Sequence, residues 1–290
     1  MIPKEVLQKV RQIEIRTRRI VDSMLSGSYH SAFKGKGMEF SEVRPYIDGD
    51  DVRTIDWNVT ARMGAPYIKK YIEERELTVM LVVDASASGD FGSIDKFKGE
   101  MAVELCSLLA FSAIRNNDRV GLIVFTSDVE SYIPPRKGRN HVLRVIRELL
   151  YFRPRHRGTD IGNALKFLNR VQTKTSVVFL VSDFISGGFE TPLRVAAKRH
   201  DLVTISVSDP REEFIPRIGL VELEDAETGE TALLDTRSRK AMEIYRRERE
   251  GHRARLNELF RSICVDEIRV STESGYVAPI VKFFRKREKV

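Results

Sequence analysis

Apolar residues fall along this chain in three patterns, and each predicts a different kind of element. Unbroken runs rich in Val, Ile and Leu occur at residues 79–83, 120–125, 176–181 and 202–207. Without polar alternation, such runs suit strands covered on both faces, as in a parallel sheet. Between them, apolar positions return at helical spacing. Phe97, Met101, Leu105, Leu108 and Leu109 form one set, Val142, Val145, Ile146 and Leu149 another, and residues 161–171 and 193–198 two more. Strand and helix alternating in this way predict a doubly wound, mainly parallel α/β sheet over residues 77–207. True alternation appears only before it, where Tyr67, Lys69 and Tyr71 share one face and Ile68, Lys70 and Ile72 the other, predicting a half-exposed strand.

The flanks read differently. Val6, Val10, Ile13, Ile20 and Met24 mark an amphipathic helix, followed by a Gly-, Ser- and Lys-rich loop, so that 1–37 is an N-terminal helix and loop. Residues 38–76 form a flanking segment whose polar part, Met38 to Arg62, mixes Glu42, Arg44, Asp48, Asp50, Asp51, Arg53, Asp56 and Arg62 with Tyr46 and Trp57. Turn chemistry is plain at Arg44-Pro45 and Asp48-Gly49-Asp50, and the interleaved charges predict ion pairs holding an irregular layer, with a partner surface as the competing reading. After the central domain, residues 208–290 predict a strand pair at 220–224 and 231–235, a long charged helix at 241–263 and a short terminal helix, partly belonging to a flanking subdomain.

Candidate chemistry sits at the ends of the buried runs. VMLVVDASAS stops on Asp84, with Ser86 and Ser88 at alternate positions after it. Gly158-Thr159-Asp160 opens the helix at 161–171, and Ser182-Asp183 ends the third run. Loops at the carboxyl ends of parallel strands are where α/β folds place their sites. Two carboxylates and three hydroxyls, with no His or Cys among them, suit a hard ion such as Mg²⁺, with Mn²⁺ or Ca²⁺ as substitutes. So few charges leave the ion undersaturated, and a partner's carboxylate would complete its shell.

Other chemistries compete for the same residues. A phosphatase of haloacid-dehalogenase type needs a second acid two residues after Asp84, where Ser86 stands. A serine nucleophile needs a base, and only His156 lies near one of these loops. No P-loop is present, and the chain is expected not to be an enzyme. The formal net charge of +7 is concentrated at the end, where residues 236–290 hold 15 Lys and Arg against 8 Asp and Glu. Binding of nucleic acid or an anionic membrane through this tail is therefore an alternative, against a solvated helix face. Cys106 and Cys264 have no metal or redox spacing, the N-terminus has no apolar signal region, and no run approaches the ~18 apolar residues of a membrane span. A cytoplasmic location is expected.

The set Asp84, Ser86, Ser88, Thr159 and Asp183 resembles the metal-ion-dependent adhesion site of von Willebrand factor A domains. In that family the hydroxyls hold the metal, the acids often act through water, and a partner's acid closes the shell. Glu42-Val43-Arg44-Pro45-Tyr46, Gly49-Asp50-Asp51-Val52-Arg53, Ile55-Asp56-Trp57, Thr60-Ala61-Arg62 and the ending SGYVAPIVKFFRKRE resemble the family called DUF58. This second resemblance implies a partnership with a MoxR-type AAA+ ATPase, in an adaptor or chaperone-like role that matures or activates a client protein.

Overall fold

The structure is a computed structural model that describes residues 11–15, 17, 20, 21, 29, 32, 33, 39–72, 76–93 and 97–288. Most of the predicted N-terminal helix and most of the loop at 26–37 lie outside the described residues. Two compact units separate, residues 33–76 and residues 1–32 with 77–290.

In the smaller unit, β1 (Glu39–Pro45) and β2 (Tyr67–Ile72) pair antiparallel, with Arg44 opposite Ile68. The charges between them have specific tasks. Asp51 caps a 3₁₀ turn at Val52–Thr54, and Asp56 caps α1 (Trp57–Met63) by accepting from Asn58 and Val59 N–H. Left-handed Gly64, at φ +71°, ends α1. Arg44 forks onto Asp50 at 2.8 and 2.7 Å, and Lys69 reaches Asp56 at 3.2 Å. Of the predicted charge network, Arg44–Asp50 is present within the segment, Asp56 pairs outward with Lys69, and Asp51 and Asp56 serve as helix caps.

The larger unit is built on a six-stranded sheet. In chain order its strands are β3 (Thr78–Asp84), β4 (Arg119–Phe125), β5 (Val129–Arg136), β6 (Val177–Ser182), β7 (Asp201–Ser208) and, after the separate pair β8 (Leu220–Glu224) and β9 (Thr231–Asp235), β10 (Asp266–Ser271). The helices are α2 (Lys98–Arg115), α3 (Arg139–Tyr151), α4 (Ile161–Val171), α5 (Glu190–Arg199), the short α6 (Pro210–Glu213), α7 (Arg239–Ser262) and α8 (Val277–Arg287). Strand order is β10-β7-β6-β3-β4-β5, all parallel except the edge strand β5. Met80, Val82, Val178 and Leu180 point into one core layer with Ile161, Leu165 and Leu168 of α4 and Leu193 of α5. Val79, Leu81 and Val83 point the other way and are equally buried, which is why β3 carries no polar alternation.

The sheet reverses its winding at β3. From β3 the chain steps outward to β4 and β5, then crosses back through α4 to place β6 on the other side of β3. Between the carboxyl ends of β3 and β6 the connections therefore depart in opposite directions, leaving the crevice in which open α/β sheets hold ligands. Asp84 ends β3 and Asp183 follows β6, so both predicted acids stand at this crevice.

One strand lies outside the elements expected from the sequence. β10 joins the central sheet beside β7, in register from Asp266 at Val203 to Ser271 at Ser208. Ile268 and Val270 face the core, and Arg287 of α8 clamps the edge by bonding Asp201 at 2.8 Å and Asp266 at 2.7 Å. The ring of Tyr29 lies 5.5 Å from Phe284 of α8. Cys106 is buried, with its thiol pushed well up by burial, and Cys264 is exposed and free. Among the described residues no helix is long and apolar enough to cross a membrane.

Candidate metal centre

Asp84 is positioned by the last bond of β3 and by its neighbours. Its Oδ2 accepts from the Ser182 hydroxyl at 2.6 Å and its Oδ1 from Ser86 N–H at 3.0 Å. After it, a 3₁₀ turn at Ala87–Asp90 carries the serine loop, and the Ser86 and Ser88 hydroxyls lie 3.0 Å apart. The turn presses on the first turn of α2, where a Cβ on Gly99 would stand 3.2 Å from the Gly89 carbonyl oxygen. Only a residue without a side chain fits that approach comfortably.

Asp183 is held at the start of a tight bend. Phe184 follows it at φ +57°, a left-handed conformation that is rare for a bulky residue and costs roughly 1–2 kcal/mol. The strain is sustained by packing, since the Phe184 ring is fully buried at 5.5 Å from Phe260 and 5.9 Å from Phe189. Asp183 Oδ1 accepts from Ile185 N–H at 3.3 Å, while Oδ2 takes the Lys98 ammonium at 2.9 Å. Lys98 also donates to Glu212 of α6 at 2.6 Å, and its side chain is only 4% exposed. Burial works against its charge, but Asp183 and Glu212 outweigh that and hold the ammonium above its usual range.

Thr159 belongs to the loop before α4, which is tied down at several points. Ala87 N–H donates to the Arg157 carbonyl at 3.0 Å, joining this loop to the serine turn. Glu130 of β5 accepts from Thr126 hydroxyl at 2.6 Å, Arg155 N–H at 2.8 Å and His156 N–H at 3.1 Å. Burial pushes the Glu130 carboxyl up, but these bonds prevail and keep it below its ordinary value. His156 Nδ1 also faces Glu130, at 3.3 Å, which makes the histidine a loop anchor. The Thr159 hydroxyl donates to Glu227 Oε1 at 2.6 Å, and its N–H to Glu227 Oε2 at 3.2 Å.

The donor set fits a hard cation. A cavity of about 20 Å³ is lined by Asp84, Ser88, Lys98, Ser182 and Asp183 among others, which is about the room one water-sized group needs. The two acids feel each other there. Burial first, then the nearby charge of Asp183, push the Asp84 carboxyl up to about 6, against the pull of the Ser182 and Ser86 bonds. Two mutually repelling carboxylates, of which Asp183 is paired with Lys98, beside the Ser86 and Ser88 hydroxyls are oxygen donors of the kind a small hard ion takes. Among the described residues, no three His, Cys, Asp or Glu converge as a metal cluster, so any ion here rests on hydroxyls as much as on acids.

The structure thus gathers Asp84, Ser86, Ser88 and Asp183 at one crevice and bonds the Thr159 loop to its rim. Four further participants act on partners distant in sequence: Ser182, Lys98, Glu212 and Glu227 lie 98, 85, 114 and 68 residues from Asp84, Asp183, Lys98 and Thr159. Ser182 was marked by its place at the end of the third run and Lys98 by its charge at the head of an otherwise apolar helix face, whereas Glu212 and Glu227 had no local signal.

With this geometry in view, known proteins place the chain. An uncharacterised protein of Mycobacterium tuberculosis is 31% identical over 290 residues, covering 97% of this chain and 89% of its own length. An aerotolerance-related membrane protein from Bacteroides fragilis, crystallised with multiple mutations to serines, overlays 73% of this chain and 98% of its own. Its TM-score of 0.50 at 19% identity is a likeness of fold. The von Willebrand A domain of SpRpn10 overlays 71% of this chain and 94% of its own, at TM-score 0.41 and 12% identity. Residues 42–255 match the family described as protein of unknown function DUF58, and the chain belongs to that family.

Proposed function

We propose that this chain is a divalent-cation-dependent protein-binding module without catalytic work of its own, with Mg²⁺ as the resident ion. The observation that carries this reading is the placement of Asp84, Ser88 and Asp183 around one small cavity at the reversal point of the sheet, with the Ser86 hydroxyl 3.0 Å from that of Ser88. A bound divalent ion would supply a positive centre that a carboxylate from another protein can complete. The Ser182 hydroxyl holds the Asp84 carboxylate, the 3₁₀ turn carries Ser86 and Ser88, and no histidine lines the cavity with them. Ser86 and Ser88 face each other, and His156 faces Glu130, which favours binding over nucleophilic hydrolysis.

In its finer form the reading makes the chain a cytoplasmic adaptor or co-chaperone of a MoxR-type AAA+ ATPase, presenting client proteins whose acidic residue meets the ion. The basic tail is a weaker basis for function, because Arg253, Arg269 and Arg287 are engaged by Glu213, Glu267, Asp201 and Asp266. Co-purification of such an ATPase with the wild-type chain, in Mg²⁺ and in chelator, tests the proposal. Capture should require Mg²⁺ and vanish in Asp84→Ala; capture indifferent to both would overturn it.

A further inference from the structure

Glu227, an acid outside the predicted set, touches a predicted site residue through both of its oxygens. It sits in the turn between β8 and β9, a two-stranded sheet that does not join the central one. That turn is firmly built. Asp225 Oδ1 accepts from Glu227 N–H at 2.8 Å and Thr228 N–H at 3.2 Å, and Gly229 closes the bend at φ +74°. The result is an acid displayed at the tip of a short, self-supporting arm.

At its base the arm is locked by one residue. Thr236, fully buried, accepts from Ile218 and Gly219 N–H and donates to the Gly219 carbonyl at 2.7 Å. Between base and tip the strands are largely exposed, with Leu220 and Leu233 at 69% and 70%. The tip is therefore held at the site mainly by what Glu227 itself does. It takes the Thr159 hydroxyl and N–H together.

We infer that Glu227 is an acid the chain presents to its own cation site, so that the β8–β9 arm occupies the place of an incoming partner carboxylate and must be displaced by it. This inference rests on the cation-dependent binding reading above. Its physical basis is the donor arrangement: the Glu227 carboxylate takes the Thr159 hydroxyl at 2.6 Å, while Asp183 is taken by the buried Lys98 at 2.9 Å. An arm tethered in the same chain competes at high effective concentration, so a free acid binds only during the fraction of time the arm is away.

The test uses the full chain loaded with Mn²⁺, whose bound waters are read by water-proton relaxation, and acetate as the carboxylate probe. Wild type, Glu227→Ala and the exposed neighbour variant Glu230→Ala are compared, with Glu227→Gln as a milder second form. Removing Glu227 should raise relaxivity by the share of a newly admitted water and tighten acetate binding by about tenfold, the tax expected of an arm docked roughly nine-tenths of the time. Glu230→Ala should behave as wild type. Loss of Mn²⁺ binding on removing Glu227 would make that carboxylate a required ligand and not a displaceable one, and would overturn the inference. If wild type binds Mn²⁺ while relaxivity and acetate affinity are the same in all four chains, the inference falls and the cation reading stands. If wild type gives no Mn²⁺ heat by calorimetry, both fall.

Discussion

On the β6 side of the crevice Asp183 meets a buried ammonium, whereas on the α4 side Thr159 meets the carboxylate of an exposed turn. The first contact is enclosed: Lys98 is 4% exposed and is bracketed by Asp183 and Glu212, each of which is fixed by a further bond. The second is made by an arm with a single buried lock at its base. One side is thus part of the framework, because a buried charge cannot lose its partner cheaply. The other can open, because solvent takes over the bonds it releases. A binding site that must admit a partner needs both kinds of wall.

The largest effect should come from breaking the enclosed side. Lys98→Ala leaves Asp183 and Glu212 without their cation and should cost about 3–5 kcal/mol, measured by urea denaturation. A loss no greater than that of an exposed substitution would mean the two sides do not differ in kind. Next is Asp209, which caps α6 and so sets Glu212 in place. It is fully buried and receives Ser93 and Arg211 N–H and the Ser93 and Thr272 hydroxyls. Burial opposes its charge, but these bonds hold the carboxyl at about 2, below its ordinary 3.8. Asp209→Ala should cost about 2–3 kcal/mol at neutral pH. Because the folded value is the lower one, this contribution is complete above about pH 4 and fades as pH falls towards 2. Urea midpoints of wild type and variant should therefore converge in strong acid, and a gap that widened there would contradict the assignment.

The smallest effect belongs to the opening side. Thr159→Ala removes one hydroxyl bond at a partly exposed position and should cost about 1 kcal/mol or less in the same denaturation series. Hydrogen exchange at residues 225–230 should nevertheless quicken, since the arm's tip loses its anchor. Unchanged exchange would show that something other than Thr159 holds the arm.

What the residue pattern revealed follows the same division between local and distant causes. β3, β4, β6 and β7 were legible because burial on both faces leaves unbroken apolar runs. β10 was not, because an edge strand needs only Ile268 and Val270 inside and reads DEIRVS. β1 hides in a charged stretch with an irregular register between Phe40 and Glu42, and its pairing depends on β2 more than on its own alternation. At the site, Asp84, Ser86 and Ser88 share one loop, and Thr159 and Asp183 each follow a recognisable boundary, so local spacing announces them. Lys98, Ser182, Glu212 and Glu227 act across 68 to 114 residues, and only the folded sheet brings them to their partners.

Calorimetric titration of Mn²⁺ into wild type and Asp84→Ala addresses the central claim most directly. The account predicts a saturable single-site heat for wild type and none for the variant, with both chains folded by circular dichroism. Equal heats from the two, or no heat from wild type, would contradict it.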